Sequence, residues 1–227
     1  MDFVKEACVE TREAIAAAAS GGAHRVELCS RLDLGGLTPP PDLVRYAREK
    51  NLAAAAMVRR RADFLAGTQA ERAALAADAV LMLESGADAL VMGFLDGGGL
   101  PDFAALDEIT AAASAALAAS AARAGGGAPE CSVPEFVFHM AFDAIPAAAQ
   151  FAALDALALR GFCRILTSGG PSGKALDNTA RLKALHDYAA GRITILCGGG
   201  VTDGNYREIA RRTGIREFHG RRLGLIN

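Results

Sequence analysis

Two kinds of stretch recur along this chain: short apolar runs closed by a polar residue or glycine, and longer alanine-rich segments with helical periodicity. Phe3–Val9 reads as a strand, and Glu10-Thr11 opens a helix stopped by Ser20-Gly21-Gly22. Arg25–Cys29 is a second strand, whose positions Arg25, Glu27 and Cys29 share one face if the chain is extended. Gly35-Gly36 and Thr38-Pro39-Pro40-Pro41 then end the strand and lead into a helix over Asp42–Lys50. Further strands are predicted over Leu52–Val58, Ala87–Met92, Glu135–His139, Cys163–Thr167, Arg192–Cys197 and Arg216–His219. The helices between them run from the capping box Thr68-Gln69-Ala70-Glu71 to Ser85-Gly86, then Asp102–Arg123, Pro146–Arg160, Asn178–Ala190 and Asp203–Arg212. Ala124–Pro134 reads as an irregular connection.

Eight strands alternating with seven helices predict an α/β fold, a closed (β/α)8 TIM-type barrel of parallel strands, with the last helix short or missing. The rival is an open doubly wound sheet, but the first turn lacks the nucleotide-binding glycines expected there. With 227 residues, 52% of them apolar, the chain suffices for one barrel domain spanning 1–227.

A net charge of −2 gives no reason to expect nucleic acid or an anionic membrane as partner. No signal peptide and no membrane-spanning stretch is read, so a soluble, cytoplasmic protein is expected. The five cysteines are scattered and odd in number, which suits reduced thiols. Cys163 and Cys197 read as core and Cys131 as a loop thiol.

Barrel sites form where strands end, and the functional side chains of this sequence fall there. Cys8 and Cys29 come from neighbouring strands, at similar height by this reading, and two thiolates so placed suit a soft ion such as Cu(I). Each is equally a small buried hydrophobe. Glu6, Glu27, Arg59, His139, Asp143 and His219 are candidates for an acid/base and anion-holding ring at the barrel mouth, or for a salt-bridge network that closes it. Gly198-Gly199-Gly200, with Gly220-Arg221-Arg222 beyond the next strand, occupies the place where barrels often bind phosphate, and glycines there also serve tight turns.

Taken together, Glu6-Ala7-Cys8-Val9, Arg25-Val26-Glu27-Leu28-Cys29 with Gly35-Gly36-Leu37-Thr38-Pro39, Phe138-His139-Met140-Ala141-Phe142-Asp143, Leu166-Thr167-Ser168-Gly169, Gly198-Gly199-Gly200-Val201-Thr202 and Glu217-Phe218-His219 resemble the CutC copper homeostasis family over almost the whole chain. The resemblance implies a TIM-type barrel, a cytosolic role in copper handling, Cu(I) binding at Cys8 and Cys29, and a homo-oligomer. The alternative is a barrel enzyme acting on a small phosphorylated or carboxylated substrate, with Arg59 and Gly198–Gly200 holding the anion and His139 or Glu27 transferring a proton. Two departures stand out. Arg59-Arg60-Arg61-Ala62-Asp63-Phe64 is shorter than the family's usual loop, and Met140 replaces the usual arginine, setting a soft thioether beside His139.

Overall fold

The computed structural model describes residues 3–123, 134–171 and 173–225. The connection predicted from Ala124 and the loop thiol Cys131 lie outside the described residues. Eight strands, β1 (Val4–Val9), β2 (Arg25–Leu28), β3 (Ala53–Met57), β4 (Ala89–Met92), β5 (Glu135–Phe138), β6 (Phe162–Thr167), β7 (Thr194–Cys197) and β8 (Glu217–Gly220), pair in sequence order and close on themselves. All the pairings are parallel, and β8 returns to β1 with Val4 against Glu217 and Glu6 against His219. Among the described residues seven α-helices alternate with these strands: α1 (Arg12–Gly21), α2 (Pro41–Glu49), α3 (Gln69–Glu84), α4 (Phe103–Arg123), α5 (Gln150–Leu159), α6 (Thr179–Ala189) and α7 (Tyr206–Thr213). This is the predicted (β/α)8 barrel, with no helix after β8 among the described residues.

The helix ends follow local chemistry. The Thr68 hydroxyl accepts the Glu71 N–H while the Glu71 carboxylate accepts the Thr68 N–H, the reciprocal cap predicted for α3. Helix α7 starts at Tyr206, later than the expected Asp203, because Asn205 first ties the loop: its Oδ1 accepts the Thr202 N–H and its Nδ2 donates to Gly200. Helix α4 is long and apolar enough by composition to span a membrane, yet it buries Ala105, Leu106, Ile109 and Ala113 and carries Asp107 and Glu108.

Side-chain alternation sorts the strands into two cores. Outward residues such as Val26, Leu28, Ala54, Phe138, Ile195, Cys197 and Phe218 pack under the helices. Inside the barrel, Cys8, Cys29, Ala55, Met57, Ala89, Val91, Val137, Leu166 and Leu196 form a separate cluster. Alanines on β3 and β4 fill little of the lumen, which leaves room for charged side chains from β1, β2, β6 and β8. Glu6 on β1 and Arg25 on β2 pair there, Arg25 also reaches Glu217 (3.1 Å), and Arg164 bridges Glu217 (2.7 Å) and Glu135. A charge inside a barrel is tolerated only when so paired.

Candidate metal centre and mouth cavity

Directly above that network, Cys8 faces Glu27 in the β1–β2 register. Cys29 lies just past β2, its N–H bonded to Val9, and is therefore two residues further along than the partner of Cys8. The two thiols are not level, contrary to the simple neighbouring-strand reading. They converge because Glu27 lies between them: Cys8 Sγ is 3.6 Å and Cys29 Sγ 3.4 Å from the same carboxylate oxygen, Oε1. The ligand atoms of Cys8, Glu27 and Cys29 all fall within 4.8 Å of one another. A second trio, Glu6, Glu27 and His219, meets the same limit and shares Glu27.

Chemistry separates the two trios. Glu6 is committed to Arg25 and accepts His219 Nδ1 at 2.8 Å. Burial would raise its pKa, but Arg25 and His219 outweigh burial and hold Glu6 at about 2. His219, which burial alone would lower, is driven well above the ordinary histidine value by Glu27, Cys8 and Glu6, which favours its protonated form beside these groups. The thiol pair is different. Cys29 donates to Cys8, which drops the Cys8 pKa well below that of a free thiol and pushes Cys29 well above it. Burial raises Glu27 to about 8.

The remaining candidates separate by position. A cavity of about 650 Å³ opens at the carboxyl ends of the strands, lined by Cys8, Glu27, Arg59, His139 and His219 among others. Glu6 and Asp143 do not line it. Asp143 instead binds the end of β6, accepting the Thr167 hydroxyl, the Ser168 N–H (2.8 Å) and the Ser168 hydroxyl (2.6 Å). Arg59 lines the cavity, but its N–H groups go to the carbonyls of Gly35 and Gly36 (3.2 Å each), Ala62 and Asp63 (3.4 Å). It therefore clasps the β2 and β3 loops and has little left for an anion. The short loop is held in this way, with Phe64 stacked on the guanidinium at 5.1 Å.

His139 is buried, and the missing side chain of Gly93 makes the space for it: a Cβ there would come within 2.5 Å of Nδ1. Desolvation pulls the imidazole down to about 3, so it is neutral. Its Nδ1 accepts the Ala141 N–H at 3.1 Å, which places the hydrogen on Nε2, and Nε2 has no hydrogen-bond partner among the described residues. Of the three glycines after β7, Gly199 and Gly200 line the cavity. Gly198 does not; a Cβ there would strike Leu166 at 2.6 Å, so its role is packing.

Sequence reasoning passed over Arg164, the barrel-interior cation of β6, and the mouth residues Leu32 and Phe64, whereas Arg221 and Arg222, read beside the glycine turn, do line the mouth. Arg164 had a signal: it alternates with Leu166 on an otherwise apolar strand, on the face that looks inward.

The CutC family model matches residues 3–224. This chain belongs to the CutC family. A Streptococcus pyogenes serotype M6 protein named family protein CutC is 35% identical over 226 residues, covering 97% of this chain and all of that one. The human copper homeostasis protein cutC homolog is 34% identical over 218 residues, covering 96% of this chain and 72% of the human one. The crystal structure of the putative copper homeostasis protein CutC from Streptococcus agalactiae superposes with a TM-score of 0.84 at 33% identity, covering 97% of this chain and 99% of that one. Copper homeostasis is thus the role named for the family's human and mouse members.

Proposed function

We propose that this CutC-family chain takes part in copper homeostasis by holding Cu(I) between Cys8 and Cys29. The observation that carries the reading is the convergence of two reduced thiols and the Glu27 carboxyl within 4.8 Å, in a buried position reached from the cavity. The donor set fits the ion: thiolates select soft Cu(I), and a buried site with few ligands suits its low coordination number. Cys8, whose pKa its neighbours draw well below that of a free thiol, lines the cavity and meets the incoming ion first, and a coordinating thiol gives up its proton on binding. His219, bonded to Glu6 and raised in pKa by Glu27, Cys8 and Glu6, stands where its protonated form would offset the negative charge of the loaded pair. The names of the human and mouse relatives, copper homeostasis protein cutC homolog, agree with this reading.

The test is an anaerobic Cu(I) titration against a competing chelator, on the wild-type chain and on Cys8→Ser/Cys29→Ser side by side. One equivalent bound tightly by the wild type and lost in the double variant, with the far-ultraviolet spectrum unchanged, is the expected result. Equal binding by both proteins would sink the proposal.

A further inference from the structure

A cavity of about 650 Å³ is far larger than one ion coordinated by two sulfurs requires and falls in the range, ~300–1,000 Å³, of small-molecule sites. Its walls divide into three regions. One wall is apolar, made by Met57, Phe64, Met140 and Leu166. A second carries the buried Nε2–H of His139, a neutral donor with no hydrogen-bond partner among the described residues, and Oε2 of Glu27, which lies 3.9 Å from His219 Nδ1 but accepts no hydrogen bond among them. Buried polar atoms are normally satisfied, so two orphans bordering one cavity mark the place where a ligand's polar groups complete them.

The third region lies at the ends of β7 and β8. Gly199 and Gly200 adopt φ of +85° and +70°, and among the described residues neither backbone N–H finds an acceptor. Gly220, Arg221 and Arg222 face them across the rim, where a Cβ on Gly220 would come within 2.4 Å of the Val201 carbonyl; the two turns are in close approach. Arg221 donates to Leu32 at 2.6 Å, whereas Arg222 pairs with Thr202 through its backbone and its guanidinium makes no hydrogen bond or ion pair among the described residues. Arg59, Arg221 and Arg222 thus stand in the lining against a single carboxyl group, that of Glu27. Free backbone N–H groups beside an unpaired guanidinium are the donor set that phosphate takes, and in parallel barrels the loops after the seventh and eighth strands are where phosphate is held.

We infer that the barrel mouth binds a small phosphorylated organic molecule, with its phosphate on the Gly199–Gly200 turn and Arg222 and its hydroxyl or carbonyl end on His139 Nε2–H. The site shares the mouth with the thiol pair but uses none of its sulfur atoms, so it stands whether or not Cu(I) binds at Cys8 and Cys29.

Isothermal titration calorimetry on the full chain under reducing, copper-free conditions tests this, with glycerol 3-phosphate, inorganic phosphate and glycerol as probes. Glycerol 3-phosphate is expected to bind with a Kd of about 1 mM or tighter, inorganic phosphate more weakly, and glycerol not at all. Arg222→Glu, a change on the exposed rim, is expected to weaken both phosphates by about tenfold or more. His139→Phe is expected to weaken glycerol 3-phosphate and leave inorganic phosphate alone. Absence of binding up to ~20 mM, well beyond the ~1 mM affinity class, would overturn the inference, as would binding indifferent to Arg222→Glu.

Discussion

Glu6 and Arg25 face each other in the β1–β2 register, and their side chains close an ion pair inside the barrel. Both are buried, and Glu6 also accepts His219 while Arg25 reaches Glu217. The pair is the floor on which the thiol site stands. Glu6→Gln leaves Arg25 and His219 each short of a counter-charge, and breaking a buried pair from one side costs about 3–5 kcal/mol. Urea denaturation is expected to show a loss of that order, and Glu6→Gln combined with Arg25→Met to recover part of it. A single variant as stable as the wild type would contradict the buried pairing.

The position of Cys29 is tested without removing its sulfur. Gly36 has a φ of +92°, and a Cβ on it would lie 2.9 Å from Cys29 Sγ. The thiol is a short side chain with little room to give, so Gly36→Ala is expected to displace it and strain the turn. Cu(I) affinity is expected to fall by about tenfold or more, a change of ~1.4 kcal/mol, in the chelator competition assay, while Gly22→Ala, whose Cβ meets no neighbour within 4 Å, costs stability but no affinity. Unaltered Cu(I) affinity in Gly36→Ala would remove Cys29 from the site.

How much of this was legible in the sequence follows from what each residue depends on. The barrel was legible because strand length, helix caps and glycine stops are local: the capping box at Thr68–Glu71 and the Gly22 stop after α1 occur as read. The convergence of Cys8 and Cys29 was legible as a neighbouring-strand relation, but its offset was not, since register comes from the closure of all eight strands. The separate fates of Asp143 and His139 were also hidden. Both follow β5 within a few residues, and only packing turns one onto β6 and the other toward the cavity. Arg59 reads as an anion holder until the carbonyls of Gly35, Gly36 and Ala62 surround it. Such contacts join loops distant in sequence, and no spacing rule announces them.

Asp143 is therefore expected to behave as a brace. Its carboxylate takes three hydrogen bonds from Thr167 and Ser168, although burial raises its pKa against their opposing pull. Asp143→Ala leaves those donors at a buried strand end, at a cost of about 1–3 kcal/mol per unsatisfied group. Thermal denaturation is expected to register the loss, and Cu(I) affinity to stay within about threefold of wild type, under 1 kcal/mol. A collapse of Cu(I) binding with stability intact would give Asp143 a direct part in the site.

The neutral imidazole of His139 gives stability a pH signature. Its pKa is lowered from 6.5 to about 3, first by desolvation and then by Arg59. Between those two values the unfolded chain binds a proton that the folded chain refuses, so stability is fully present above pH 6.5 and is lost as pH falls toward 3. The slope contributed by this one group approaches ~1.4 kcal/mol per pH unit in the middle of that window. Glu6, held at about 2 against an ordinary 4.5, adds a loss of the same sign below pH 4.5. The interval from pH 6.5 to 4.5 thus separates His139 from Glu6, and since Glu27, held at about 8, adds a slope of the opposite sign there, urea denaturation of His139→Gln is expected to give a slope of stability against pH lower than that of the wild type by up to ~1.4 kcal/mol per pH unit. Parallel curves for the two proteins would mean that the imidazole is charged in the folded state, and would remove the neutral Nε2–H donor from the mouth.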